Sequence, residues 1–364
     1  MKKQILSVDL IIVFTVVLLM VSGLFVLTSA TDDTKRLCVQ TLCAFIGTLF
    51  MIALCFWDYK STAGKKNHIY LMCVFSLIIV LLFGIGKEET GALSWIRFGS
   101  IGVQPSEFVK LLFSLYLSLE LSQKCEKNTL NERSELLLFL LKCAVIIGLV
   151  VLQNDTGTAL VFLFMLATTL FVSGISKKYI ITALISMLVL IPVIWLFLAD
   201  YQRDRIMVFI NPDTDLSDAG YQVYFAKLAL SSGGIFGKGY KNGAVNTLSY
   251  LPEKETDFIF SVIGEEAGLI GTFYFISLFA LLIFRMFYIA AKSKDLQGKL
   301  LVTAICAMFL FHIIENIGMT IGLLPVTGIP LPFVSYGGSS MLSMSCGAGL
   351  TLAVRRKTYT LLNS

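Results

Sequence analysis

Charged residues are scarce in this chain. Lysine, arginine, aspartate and glutamate make up 15% of its 364 residues, against roughly 25% in a soluble domain. That shortage excludes an ordinary water-exposed surface. Histidine is scarcer still: His68 and His312 are the only two, far apart and in no metal motif. The eight cysteines (Cys38, Cys43, Cys55, Cys73, Cys125, Cys143, Cys306 and Cys346) contain no CxxC pair. Nearly all fall in apolar runs or expected cytoplasmic loops, so they point neither to zinc nor to a disulfide framework. The net charge of +5 does not imply a nucleic-acid partner, because in a membrane chain the placement of cations matters more than their sum.

What the chain has in abundance is apolar sequence, 56% of the total. A membrane-spanning helix needs about 20 such residues, with a range of roughly 17–25. Ten spans are expected, at about 10–30, 37–57, 69–86, 105–122, 135–153, 157–174, 179–199, 258–290, 300–322 and 336–354. The fold class is therefore an all-α polytopic membrane protein. The first apolar run follows Lys2 and Lys3 and is longer than the roughly 7–15 residues of a signal-peptide core, so it reads as an uncleaved span. The eighth is long enough to tilt or to extend beyond the membrane.

Orientation follows from the bias of lysine and arginine in short loops. One side carries Lys2, Lys3, Lys60, Lys65, Lys66, Lys124, Lys127, Arg133, Lys177, Lys178, Lys292, Lys294, Lys299, Arg355, Arg356 and Lys357. The other carries only Lys35, Arg36, Lys87 and Arg97. Both termini are expected in the cytoplasm. The single long loop, about 200–257, is then extracytoplasmic, between spans seven and eight. No ATP pool exists there, so bond-forming chemistry on that side needs a substrate that arrives activated.

The acids gather on that side. Leu251 to Glu266 read LPEKETDFIFSVIGEE. Asp257 stands at the mouth of span eight, where partial desolvation suits a general base. Alternatively, Thr256 or Asp257 caps the helix. Glu265 and Glu266 lie deeper, as intramembrane carboxylates with Lys110, Lys142 or Arg285 as possible partners. Pro105-Ser106-Glu107 reads as a helix start, and Glu107 and Lys110 are spaced to pair along one helix face. Arg97 either grips a phosphate through its planar fork or anchors its loop. Asp155 or Thr156 caps span six. His312, Glu315 and Asn316 lie within span nine and read as a satisfied buried polar cluster, in which His312 and Glu315 are spaced to bond each other.

Two glycine-bearing segments complete the reading. SSGGIFGKGYKNG, residues 231–243, fails the phosphate-loop pattern because Gly239 follows Lys238. A turn whose backbone approaches a lipid head group fits better, with Lys238 as its candidate contact. Before it, Tyr221, Tyr224, Phe225 and Leu228 share one helical face, as an interfacial helix or one packed over the spans. In PVTGIPLPFVSYGGSS, residues 325–340, amides near Ser335 to Ser340 are placed to bind an anion at the start of span ten, or merely to connect two spans.

Taken together, Trp95-Ile96-Arg97-Phe98-Gly99, Gln104-Pro105-Ser106-Glu107, Leu251-Pro252-Glu253 with Thr256-Asp257-Phe258, Gly264-Glu265-Glu266, and Pro332 to Ser340 resemble the shape, elongation, division and sporulation (SEDS) family, in the family's order and over nearly the whole chain. The resemblance implies a single SEDS-type transmembrane domain over 1–364, a peptidoglycan polymerase of ten helices. Such an enzyme moves a growing glycan from its undecaprenyl pyrophosphate carrier onto the 4-hydroxyl of lipid II, with inversion, in the bacterial cytoplasmic membrane. The implied partner is a class B penicillin-binding protein.

Asp257 falls on the family's essential aspartate and becomes the catalytic base. Arg97, Lys110, Ser335, Tyr336 and Gly337 become pyrophosphate contacts, beside Glu107, Asp155 and Lys238 as further substrate-binding candidates. A divalent cation, magnesium or manganese, is a candidate cofactor. Two departures stand out: Glu255 replaces a frequent histidine, and Gln153-Asn154-Asp155 replaces a Gln-Pro-Asp turn. Two other readings compete, a lipid II flippase and a non-catalytic scaffold for a cell-wall synthase.

Overall fold

The computed structural model describes residues 8–86, 92–98, 101–197, 219–244 and 251–363, with 203, 207 and 209. Lys2, Lys3, Lys87 and Gly99 lie outside the described residues, as do 210–218 and 245–250 of the long loop. Among those described, eleven α-helices run in order. They are α1 (Leu10–Ala30), α2 (Thr34–Cys55), α3 (Lys66–Phe83), α4 (Pro105–Glu126), α5 (Arg133–Leu152), α6 (Thr156–Val172), α7 (Lys177–Phe197), α8 (Ala219–Ser232), α9 (Ile259–Lys292), α10 (Leu296–Thr320) and α11 (Gly338–Asn363). Ten coincide with the ten apolar segments read from the sequence; α8 falls within the long loop. A short antiparallel hairpin, β1 (Ile96–Phe98) with β2 (Ile101–Val103), precedes α4 and pairs Arg97 with Gly102. The span pattern gave no sign of it.

Aspartates set several helix starts. The Asp9, Asp33, Asp155 and Asp295 carboxylates accept from the first-turn amides of α1, α2, α6 and α10, taking donors that have no partner within the helix. Six helices, α1, α2, α3, α5, α9 and α10, are long and apolar enough to cross a membrane. Of these, α10 is central: 72% of its apolar window is buried, against 22–39% for the other five. It packs on α4, α6, α8, α9 and α11. Helix α4 does not qualify on apolarity because it turns polar residues inward: Glu107, Lys110, Ser114, Ser118, Glu120 and Lys124 are all buried. Polar side chains within a membrane bundle face its interior, where partners exist.

Helix α9 is not one continuous span. Gly268 has φ +64° and breaks it. The 233–239 loop fills the break: the Leu269 and Ile270 amides donate to Gly234 and Ile235 carbonyls, while Lys238 and Gly239 amides donate to Glu265 and Glu266 carbonyls. Backbone groups freed by the break thus find partners outside the helix, which non-helical backbone at such a position requires. Beyond the break, residues 269–292 extend about 36 Å at 1.5 Å per residue, enough for a hydrocarbon core of about 30 Å.

Helix α8 buries Val223, Ala226 and Ala229 against Leu251, Phe258, Met319 and Val326. Tyr224 and Leu228, from the expected apolar face, point outward. At the opposite end of the bundle from Asp257, Arg285 grips Asp9 through two nitrogens, each at 2.8 Å from Oδ2, and Tyr59 donates to Asp295 at 2.6 Å.

Candidate active site

Glu253 to Phe258 form a tight turn leading into α9, closed by the Asp257 amide donating to the Glu253 carbonyl at 3.0 Å. The N-cap of α9 is Phe258, and no side chain caps the helix. The capping role offered for Thr256 or Asp257 is therefore not the one seen. Instead, three consecutive carbonyl oxygens of the turn are each taken by a donor from a distant part of the chain. The Tyr336 amide donates to Glu255 O at 2.8 Å. Ser335 Oγ donates to Thr256 O at 2.5 Å. Asn316 Nδ2 donates to Asp257 O at 2.8 Å. The half-buried Asp257 side chain faces the 325–331 loop: a methyl group added at Gly328 would lie 3.3 Å from Asp257 Oδ2.

A buried charged cluster sits one turn into α4. Lys110 Nζ lies 2.7 Å from Glu107 Oε1, and both side chains are almost wholly inaccessible. Ser343 Oγ donates to Glu107 Oε2 at 2.8 Å. Lys110 Nζ also lies 2.8 Å from His312 Nε2, and His312 Nδ1 lies 3.1 Å from the Pro330 carbonyl. An ammonium only donates and a carbonyl only accepts. The imidazole therefore carries its proton on Nδ1 and offers Nε2 as the acceptor. Burying an ion pair is favourable only when its remaining polar groups are satisfied, and Ser343 and His312 supply that here.

Around this core the loops interlock. Asp155 Oδ1 accepts from the Thr158 amide at 3.0 Å, and Oδ2 from Gln104 Nε2 at 3.1 Å. Burial pushes the Asp155 carboxyl above the usual carboxylate range, against the opposing pull of the Thr158 bonds and the Lys110 charge. The Gln104 amide donates to Ser339 Oγ at 3.0 Å. Lys238 pairs with Glu265 at 2.9 Å, and Ser29 Oγ donates to Glu266. Burial lowers the pKa of Lys254, opposed by the charges of Asp32, Glu266 and Glu265. Arg36 forms an ion pair with Glu255 and lies 5.8 Å from the centre of the Tyr336 ring.

Comparison with known proteins places the chain. The FtsW/RodA/SpoVE profile, described as a cell cycle protein family, matches residues 2–360. The chain belongs to this family. It is 34% identical over 311 residues to the peptidoglycan glycosyltransferase MrdB of Escherichia coli, covering 85% of this chain and 82% of MrdB. It is 34% identical over 366 residues to the stage V sporulation protein E of Bacillus subtilis, covering 96% and 97% of the two chains. Among solved structures, a chain of a peptidoglycan synthase complex superposes with a TM-score of 0.84 at 30% identity, covering 97% of this chain and 98% of that one. The Thermus thermophilus rod shape determining protein RodA superposes at 0.72 and 28%, with the same coverage. The protein is thus a multi-pass membrane member of the FtsW/RodA/SpoVE family.

Within this family member, the expected residues divide into two groups. Glu107 and Lys110 pair as their spacing predicts, and Asp155 caps α6. Arg97 is exposed on β1. Lys110 is wholly buried, so its charge acts from beneath the surface rather than by direct contact. The anion-binding reading of Ser335, Tyr336 and Gly337 needs correction. The Ser335 amide donates to Leu331 O, the Tyr336 amide to Glu255 O, and the Gly337 amide to Gln40 Oε1; Ser335 Oγ holds Thr256. The Tyr336 amide and Ser335 Oγ thus brace the acidic turn, while the Ser335 and Gly337 amides are taken by Leu331 and Gln40.

Three more expectations change. Glu265 and Glu266 meet Lys238 and Ser29 beside the α9 break, not Lys110, Lys142 or Arg285, because the break places them level with the end of α1. His312 and Glu315 do not bond each other: Glu315 Oε1 accepts from Thr327. Gln40 was missed as a brace: it is the one amide side chain in α2, and that rarity was the available signal. Asn316 was read only as a member of a buried polar cluster, not as a tether of the acidic turn.

No group of three or more His, Cys, Asp or Glu side chains able to hold a metal exists among the described residues. The divalent cation named from the sequence is assigned no step.

Proposed function

We propose that this chain is a peptidoglycan glycosyltransferase that polymerises lipid II on the extracytoplasmic face of the bacterial cytoplasmic membrane. The cation bias puts both termini in the cytoplasm and the Asp257 end of the bundle outside, in one SEDS-type domain. Asp257 takes the proton of the acceptor's 4-hydroxyl. The acceptor oxygen bonds to the donor's anomeric carbon from the face opposite the pyrophosphate, the carbon–oxygen bond to pyrophosphate breaks, and the configuration inverts. The leaving group departs on its polyprenyl carrier, so no soluble nucleotide is needed.

Arg97, exposed on β1, is the proposed guanidinium contact for pyrophosphate oxygens, for which its planar fork is suited. Lys110 adds a fixed positive charge below them, and such preorganised charge stabilises a developing anion in a poorly hydrated site. The exposed Tyr224 and Leu228 edge of α8 is suited to the polyprenyl tail. A class B penicillin-binding protein would crosslink the product.

The observation that carries this reading is the fixed backbone of Asp257 in a chain whose relatives are named peptidoglycan glycosyltransferases. The test is polymerisation of purified lipid II by the purified chain. Asp257→Asn should abolish glycan strands while leaving folding intact. Normal strand synthesis by that variant would overturn the assignment, and a loss confined to a lipid-translocation assay would favour a flippase instead.

A further inference from the structure

The polar side chains of α10 face one loop. His312, Glu315 and Asn316 stand on adjacent turns. They meet Pro330 O, Thr327 Oγ1 and Ile329 O respectively, so the helix clasps residues 327–330 along one stripe. Asn316 alone reaches further. Its Nδ2 donates to Ile329 O at 2.8 Å and to Asp257 O at 2.8 Å. A carboxamide has two N–H donors, and each takes one of these carbonyls. The side chain is fully buried, and its Oδ1 has no hydrogen-bond partner among the described residues. A buried acceptor left unbonded is destabilising. The position is thus poorly explained by stability alone and well explained by a need for two donors.

We infer that Asn316 is a positioning residue for Asp257: it fixes the peptide of the general base relative to the 327–330 loop that the carboxylate faces. The inference rests on the reading of Asp257 as the base. The other two tethers of the turn, Ser335 and the Tyr336 amide, act on the two preceding carbonyls. Asn316 is the tether on the base itself, and it joins the turn to the opposite wall of the site. Without it, the Asp257 peptide can rotate while the turn stays anchored upstream. A displacement of about 1 Å in a reacting group can lower a rate about 100-fold.

The test compares Asn316→Asp and Asn316→Ala with the unmodified full-length chain. Aspartate keeps the shape and leaves at most one donor, from a protonated carboxyl, for the two carbonyls; alanine leaves none. Polymerisation of lipid II should fall about 10- to 100-fold in kcat with KM within about 2-fold, since acceptor oxygen and base are misaligned but substrate contacts are kept. Amide hydrogen exchange should quicken in residues 253–258 and stay unchanged in α4. This second readout does not need activity, so it remains decisive for a weakly active variant.

Normal kcat in Asn316→Asp, alongside an inactive Asp257→Asn, would overturn the positioning role and leave the function standing. Unchanged exchange in 253–258 would overturn it as well. An active Asp257→Asn would instead sink the functional reading on which the inference rests.

Discussion

Ser335 bonds the main chain of Thr256 across 79 residues of sequence. The same hydroxyl oxygen accepts from the Leu331 amide at 2.8 Å, so one small side chain ties the acidic turn to the loop that leads into α11. Ser335→Ala removes both bonds and leaves a part-buried carbonyl and a buried amide unsatisfied. The expected cost is about 1–3 kcal/mol, read as a lower thermal midpoint in detergent together with slower strand synthesis. An unchanged midpoint would mean that the two backbone groups find replacement partners.

His312 should tolerate glutamine better than leucine. A glutamine amide can donate to Pro330 and accept from Lys110, as the neutral imidazole does. Leucine fills the space but leaves the ammonium with Glu107 alone and the Pro330 carbonyl unbonded. Thermal unfolding should rank the variants wild type, His312→Gln, then His312→Leu, with the leucine form lower by about 1–3 kcal/mol. Equal stability of the two variants would show that the ring acts by shape.

Gly268→Ala probes the interruption in α9. Positive φ is strained for alanine, and the added methyl would lie 2.4 Å from Gly237 N and 2.6 Å from Ile235 O. The 233–239 loop must then move off the helix. Limited proteolysis should cut that loop faster in the variant, and the Lys238–Glu265 pair should part. Wild-type protease resistance would argue against the docking.

Asp155 supplies a pH test. Its folded-state pKa is raised, chiefly by burial, so its favourable contribution is fully present below the unfolded pKa of about 3.9 and is lost as pH rises through the folded value. Asp155→Asn keeps a good cap and carries no charge, and the Gln104 carboxamide can turn to present its oxygen to the new Nδ2. At pH 7 it should unfold at the same temperature as wild type or higher. On acidification, the wild type should regain ground relative to it. A variant that is less stable at pH 7 and matches wild type at pH 4 would reverse the sign and refute the argument.

Much of this architecture was legible beforehand. The spans are written in apolar length, and the start of α6 in Asp155, whereas the caps at Asp9, Asp33 and Asp295 emerged only in the structure. The Glu107–Lys110 pair follows from helical spacing alone. The break in α9 was not legible, because Gly268 resembles any other glycine in an apolar helix until a distant loop is seen filling the gap. The task of Ser335 to Gly337 was misread for a related reason. A glycine-rich helix start has free amides by local rules, and only the tertiary fold shows that Glu255 and Gln40, both distant in sequence, take those of Tyr336 and Gly337. Asn316 was visible as a polar oddity, but its two acceptors are main-chain atoms, which no sequence pattern marks.

The acidic turn is moored through its peptide groups, whereas its side chains are left to other duties. Position 255 can therefore change chemical character without setting the turn adrift, provided a neighbour answers the new charge. Here the residue is Glu255, and Arg36 answers it. A change at position 255 matched by exchange at position 36 is the kind of sequence freedom such an anchorage permits.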